Sequence, residues 1–139
     1  MMISIKEAFL HGDCNEFAYV LNDMTYLKIG IITETRDTGC IGRHGKILVE
    51  GLIHAFCVIG NELTEETMCV DANGVRSFRD ILNDYTKNIT TYSFEILENP
   101  STVIEMFVSS GHFSDVDKKA REYIMTYILP ELKEYLNVQ

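Results

Sequence analysis

Two polar-to-apolar transitions near the start of the chain predict two helices. In each of them, a capping residue is followed three positions later by a glutamate, a spacing typical of the first turn of a helix. The first transition, at Ser4, predicts a short helix from Ile5 to Leu10, and the second, at Asp13, predicts a helix from Cys14 to about Asn22. The second pattern makes the cysteine the first residue of its helix.

The middle of the chain has the short apolar runs and period-two alternation that are typical of strands. The turn-forming residues after Ile59 predict an antiparallel hairpin, which ends at Gly74, a residue that tolerates positive φ. Gly51 either divides the apolar run before this hairpin or marks a bulge. The strand-like runs lie at 26–33, 47–59, 68–71 and 90–97.

The segment 33–46 has a different composition, with three glycines and four basic residues, and we interpret it as a loop. Its basic charge on an acidic chain suggests either a solvated connector or a flexible rim that grips an acidic or backbone-rich substrate. Arg36 and Arg43 would be the residues that contact the substrate.

The second half of the chain adds further helices. Ser77 is a good cap for a helix from Phe78 to Tyr85, and 102–109 predicts a short helix ending at Gly111. A last helix begins after Ser114, presents an apolar packing stripe, and should be kinked or divided at Pro130. The elements together predict one α+β domain over residues 1–139, in which the cysteine-bearing N-terminal helix packs on a small, mostly antiparallel sheet and a helix follows at the C-terminus.

Composition narrows the function classes. The net charge of −9 disfavours a broad surface for nucleic acid or for an anionic membrane. The sequence contains neither a signal-peptide pattern nor an apolar run long enough for a membrane span, so we expect a cytoplasmic protein. In that compartment the four unevenly spaced cysteines are expected to be free thiols.

Cys14 is the candidate nucleophile. A thiol at the first position of a helix lies near unpaired backbone N–H groups and the positive end of the helix dipole, and both favour the thiolate. We therefore expect a lowered pKa, while the alternative is a small cysteine buried on the inner face of the helix.

His54 and Asp71 supply the other two groups that such chemistry needs. His54 is near the start of an apolar strand, and Asp71 closes the next strand, so a hairpin would bring them side by side. An imidazole can then accept the thiol proton while the carboxylate fixes its tautomer. Asn73, two residues further, is the rival for the orienting role. A zinc site built on Cys40 and His44 is a weaker alternative, because the spacing matches no ordinary finger.

Three segments together resemble the papain-like superfamily in its broad sense, which includes transglutaminase-like proteins and small papain-fold toxins and effectors. They are Gly12-Asp13-Cys14 with Phe17-Ala18, His54-Ala55-Phe56, and Val70-Asp71-Ala72-Asn73-Gly74. The resemblance implies a papain-like core and a cysteine hydrolase without metal or organic cofactor. Cys14 would be the nucleophile, His54 the general base and then acid, and Asp71 the orienting residue.

The resemblance also implies the type of substrate. No glutamine precedes Cys14, although papain has one that lines its oxyanion hole, and the chain is short for a long substrate cleft. Both features favour peptide or isopeptide cleavage, or glutamine deamidation, by a compact enzyme of the phage or effector type acting on a protein. The alternatives are a non-catalytic binding protein that retains the fold and a transferase that passes the acyl group to an amine.

Overall fold

A long antiparallel pair of strands forms the centre of the fold. In the computed structural model, which describes residues 4–10, 12–106 and 113–138, strand β1 runs from Lys28 to Gly42 and strand β2 from Gly45 to Val58. Three shorter strands complete a five-stranded sheet in the order β4-β3-β2-β1-β5, and every neighbouring pair is antiparallel. The shorter strands are β3 (Met68–Asp71), β4 (Gly74–Ser77) and β5 (Tyr92–Ile96). The α+β class and the antiparallel sheet expected from the sequence are confirmed.

Helices cover both faces of this sheet. The predicted bounds of α1 and α3 are confirmed, and the cysteine-bearing α2 begins where expected but continues to Thr25. The predicted helix 102–109 is described only at its start, because 107–112 lie outside the described residues. The helices are α1 (Ile5–Leu10), α2 (Cys14–Thr25), α3 (Phe78–Tyr85), α4 (Thr102–Glu105), α5 (Phe113–Tyr123) and α6 (Leu129–Val138).

The alternation of side chains along the strands creates two hydrophobic cores. On β2, Ala55 and Cys57 face the first core, which lies between the sheet and helices α1, α2 and α5. Phe56 and Val58 face the second core, which α3 covers with Phe78 and its neighbours. Because both faces of β2 are buried here, this part of the strand has a continuous apolar sequence.

The segment 33–46 is not a loop, and this prediction is wrong. Strands β1 and β2 continue through it as an exposed ribbon whose pairing reaches Gly42 and Gly45. We call residues 36–51 the arm. Its side chains are exposed on both faces, so the sequence lacks the one-sided apolar pattern that identifies a strand. Gly51 lies within the continuous β2 and pairs with Glu34. One register irregularity falls at Ile53, opposite Ile32 and Thr33, and a second lies in the arm between Asp37 and Ile41.

The C-terminal helix is divided as expected before Pro130. Residues Ile124–Ile128 form a π-helical turn between α5 and α6, in which the backbone N–H of Leu129 donates to the carbonyl of Ile124. Proline lacks the N–H that an α-helix needs and its ring crowds the carbonyl four residues earlier, and a wider turn accommodates both constraints. The apolar stripe packs into the first core, as expected from its spacing. Within the described ranges, no helix is both long enough and apolar enough to cross a membrane.

Close packing at Gly30 yields a stability prediction. A Cβ at this position would lie 2.6 Å from Cε2 of the buried Phe56, so we expect Gly30→Ala to cost about 1–3 kcal/mol through overpacking. The matched control is Gly51→Ala on the partner strand, where nothing lies within 4 Å of the new methyl group. Urea unfolding of the two variants measures the difference, and equal stabilities would contradict the close contact.

Candidate functional site

The turn before α2 places Cys14 at the start of that helix. Asp13 occupies the cap position, but its side chain makes no capping hydrogen bond, so the predicted capping box does not form at this helix. Its backbone is used instead, since its N–H donates to the carbonyl of Ala8 at 2.8 Å and its carbonyl accepts from Phe17. By contrast, Ser4 caps α1 through a hydrogen bond from the N–H of Glu7, as predicted.

Cys14 lies against the edge of β2. In the described part of the chain, strand β3 pairs with β2 only at Cys57 and Val58, so no neighbouring strand occupies the buried edge of β2 near Ala55. A hydrogen bond from the backbone of Ala55 to the Cys14 sulfur favours the thiolate, as do hydrogen bonds from the backbone of Cys14 and Asn15. His54 directly precedes Ala55 in the sequence.

The expected lowering of the Cys14 pKa is wrong. The side chain is 3% exposed, and this burial, together with the negative charge of Glu16, raises the pKa to about 11. The backbone hydrogen bonds and the helix terminus act in the opposite direction, but desolvation of the charged form is the larger effect. In the structure, Cys14 is therefore a neutral thiol.

His54 and Asp71 form a buried pair. The imidazole Nε2 donates to Oδ2 of the carboxylate at 3.0 Å, and both side chains are at most 1% exposed. The predicted hairpin creates this contact, because β3 runs antiparallel to β2 and ends at Asp71 on the face that carries His54. The pair lies at the margin of the second core, with the Phe56 ring 5.9 Å from the imidazole.

Arg76 on β4 completes an ionic network around Asp71. One guanidinium nitrogen donates to Asp71 Oδ2 at 3.0 Å, and another bonds the half-exposed carboxylate of Asp84 on α3. Asp71 Oδ1 accepts the backbone N–H of Asn73 at 2.8 Å. Burial alone raises the pKa of the Asp71 carboxyl, but the hydrogen bond from His54 and the adjacent positive charges outweigh it and hold the pKa below its usual range.

Tyr85 connects this network to the segment before the cysteine. Its ring stacks on the imidazole of His54 with centroids 3.9 Å apart and planes within 10°. Its hydroxyl donates to the carbonyl of Leu10 at 3.0 Å, and burial, together with the nearby charge of Asp71, raises its pKa. Tyr85, the last residue of α3, therefore contacts both the histidine and the end of α1.

Sequence reasoning did not identify Arg76 or Tyr85 as site residues. Arg76 lies between the predicted turn at Gly74 and the predicted cap at Ser77, and β4 was not predicted. The sequence signal that indicates β4 is the change from the apolar Val75 to the polar Arg76 and Ser77 directly after the turn at Gly74. Tyr85 ends a helix that was correctly predicted, but its contact with Leu10 spans 75 positions and has no local signature.

The C-terminal helices hold the turn after Asp71. The Tyr123 hydroxyl donates to the carbonyl of Ala72 at 2.7 Å, and Glu131 accepts the backbone N–H of Val75 at 2.8 Å. A Cβ at Gly74, whose φ is +98°, would clash with the Glu131 carboxylate. These contacts fix the backbone that places the carboxylate of Asp71.

The other candidate residues lie apart from this pair. The Asn73 side chain is exposed, and the residue contributes a backbone N–H to Asp71 in place of an orienting side chain for His54. Arg36, at the start of the arm, pairs with Glu34, and Arg43 is at the arm's turn, so the structure does not bring either to the site. Cys40 is exposed on the arm, and the described residues contain no cluster of three or more His, Cys, Asp or Glu suited to a metal ion.

Comparisons with protein-family models, with curated proteins and with solved structures gave no match to this chain.

The buried Cys14 leads to a prediction about thiol reactivity. We expect iodoacetamide to modify the exposed Cys40 first, whereas the Cys14 rate should increase with pH up to about 11, because only the thiolate reacts. Alkylation resolved by peptide mass spectrometry measures both cysteines in one sample, with Cys40 as the internal control. Faster alkylation of Cys14 than of Cys40 at neutral pH would contradict the burial effect.

Asp71 provides a prediction about stability and pH. Asp71→Asn leaves Arg76 with one fewer carboxylate in a buried setting and should cost about 3–5 kcal/mol near neutral pH. Because the folded-state pKa is lowered, the wild-type advantage is complete above the unfolded pKa of about 3.9 and is lost as the pH falls through the folded value. The difference between the two proteins should therefore shrink on acidification.

The matched control is Asp84→Asn, which removes the other carboxylate partner of Arg76. Its side chain is 52% exposed, so the expected loss is below about 1 kcal/mol. Urea unfolding between neutral and acidic pH measures both variants. If Asp71→Asn and Asp84→Asn lose the same free energy of unfolding at neutral pH, the buried carboxylate does not stabilise the fold more than the exposed one.

Proposed function

We propose that this protein is a cysteine hydrolase of the papain-like type in which Cys14, His54 and Asp71 act in that order. The observation that carries the proposal is the buried His54–Asp71 hydrogen bond of 3.0 Å beside the strand position, Ala55, that contacts the Cys14 sulfur. Further support comes from the order of the elements, since the nucleophile would begin a helix, the base lies on a strand and the carboxylate ends the next strand.

The orientation of the imidazole supports the assigned roles. Because Nε2 donates to Asp71, the neutral ring carries its lone pair on Nδ1, and Nδ1 is the atom that would take a proton from a thiol. The carboxylate stabilises the imidazolium that then forms. The low pKa of Asp71 keeps this group ionised throughout the neutral range.

The raised pKa of Cys14 determines the form of the proposed mechanism. A resting thiolate–imidazolium pair is disfavoured, so the proton would leave sulfur for His54 as sulfur attacks the carbonyl carbon. The imidazolium then protonates the departing amine or ammonia, leaving a thioester on Cys14. Water, deprotonated by His54, hydrolyses the thioester, releases the acid and restores the thiol.

The proposed substrate is a peptide bond or a side-chain amide of a protein, which includes isopeptide cleavage and glutamine deamidation. This chemistry requires neither a metal nor an organic cofactor. It requires a reduced thiol, which a reducing cytoplasm would maintain. A transferase variant of the same mechanism would pass the acyl group to an added amine in place of water.

A second function is favoured by the burial of the three residues. Cys14 is 3% exposed, His54 and Asp71 at most 1%, and Tyr85 covers one face of the imidazole. A protein that uses this network only to stabilise the fold, and binds a partner elsewhere, would have the same arrangement. The two functions differ in whether Cys14 forms an acyl intermediate that depends on His54.

The test uses p-nitrophenyl acetate, a small activated ester that acylates a nucleophilic thiol without a specific substrate. We expect the acetyl thioester on Cys14 to form and hydrolyse at least about 100-fold more slowly in His54→Gln, because general base catalysis typically contributes this much. Cys40→Ser is the matched control and should leave both rates unchanged. Intact and peptide mass spectrometry follow the modification, and urea unfolding confirms that each variant is folded.

Two outcomes favour the binding protein instead. One is an equal rate of Cys14 acetylation in the wild type and in folded His54→Gln. The other is the absence of Cys14 acetylation even in Tyr85→Ala, which removes the ring over His54, while the exposed Cys40 is modified. Adding glycine methyl ester separates the hydrolase from the transferase, since only a transferase would form the amide product faster than the acid.

A further inference from the structure

The arm is an exposed ribbon with two unpaired strand edges. Strand β5 pairs with β1 only from Gly30 to Glu34, and β3 pairs with β2 only at Cys57 and Val58. Beyond these positions, the two strands of the arm bond only to each other in the described part of the chain. A ribbon of this kind is usually protected or occupied in the working state of a protein.

The tip of the arm combines apolar and basic side chains. Ile41 is 83% exposed, and Ile47, Leu48 and Val49 are also exposed, although large aliphatic side chains are normally buried. Residues 38–49 include Arg43 and Lys46 and contain no acidic residue. A matching surface should therefore be acidic with an apolar floor.

A groove at the opposite end of the same strand has these properties. It contains Glu62 and Glu66 at its rim and apolar side chains from Ile59, Met68 and Tyr135. Residues 60–68 carry three glutamates and no basic residue. Arg79 on α3 bonds Glu65 and Glu66, which leaves an excess of negative charge along this segment.

We propose that the arm of one copy of this chain docks in the groove of a second copy, and that two copies exchange arms around a two-fold axis. The occupant is a second copy because the tip of its arm, residues 38–49, has the basic charge and the exposed apolar side chains that complement the groove, although Lys46 also bonds Asp37 of its own arm. The tip of an arm cannot reach the groove of its own chain, since the 14 residues of β2, about 45 Å of extended strand, lie between them.

The tip and the groove lie at opposite ends of β2, and this placement allows a closed dimer with two equivalent contacts. When two β2 strands run antiparallel past each other, each tip reaches the other copy's groove, and the same pair of surfaces is used twice.

A charge exchange tests the proposal. Arg43→Glu places a negative charge against the acidic groove, and Glu62→Arg places a positive charge against the basic tip. Each change acts at both contacts of the dimer, so we expect each variant alone to raise the dimer dissociation constant at least about tenfold, equivalent to ~1.4 kcal/mol. An equimolar mixture of the two variants should recover the wild-type affinity, because each altered tip then meets an altered groove.

Sedimentation equilibrium over a range of protein and salt concentrations measures these constants on the full chain. Ile41→Ser should also weaken the dimer, while Met125→Gln, at another exposed apolar position, is the control and should leave it unchanged. Both residues are exposed, so neither change should affect folding, which circular dichroism verifies. We expect the affinity of the wild type to fall as salt increases.

Three results would overturn the proposal. The wild type could remain monomeric up to about 1 mM, where even a very weak specific contact is substantially formed. The mixture of Arg43→Glu and Glu62→Arg could fail to associate more tightly than either variant alone. Finally, a dimer could form that is insensitive to all three substitutions, which would assign its interface to another surface.

Discussion

The buried carboxylate of Asp71 is the group on which the organisation of the site depends. An ionised carboxylate in this position is tolerated only because it is bonded by His54, by Arg76 and by a backbone N–H in the following turn. To supply these partners, β2, β3 and β4 must have their observed register, and the turn at Gly74 must be held by the C-terminal helix. The requirement to satisfy one charge thus connects the hairpin β3–β4 with β2 and with the C-terminal helix.

Two opposing effects determine the pKa of the Cys14 thiol. The helix terminus and the backbone hydrogen bonds at the thiol each favour the charged form, but their contributions are modest. Removing the sulfur from water disfavours the charged form more strongly. The thiol is therefore protonated in the neutral range, and His54 directly precedes the strand residue, Ala55, whose backbone bonds the sulfur.

Local signals in the sequence were sufficient for the elements and for part of the site. The caps and periodicities predicted α1 and α3 with their observed bounds, and the turn signals predicted the hairpin that joins His54 to Asp71. The arm was missed because a ribbon with two exposed faces has no apolar periodicity. Tyr85 and the raised pKa of Cys14 were missed because both depend on tertiary burial, which capping residues and helix dipoles do not determine.

The regular pairing of Glu34–Asp37 with Leu48–Gly51, at the base of the arm, has a consequence for how this protein can vary. Because opposite residues are paired across the ribbon, removing or adding the same even number of residues on both strands beyond Glu34 and Gly51 would keep the alternation of faces and leave Ile31 opposite Ala55. The length of the arm can therefore change in steps of two residues per strand, while the geometry around His54 stays constant. The length of the ribbon and the chemistry at its base are separable traits.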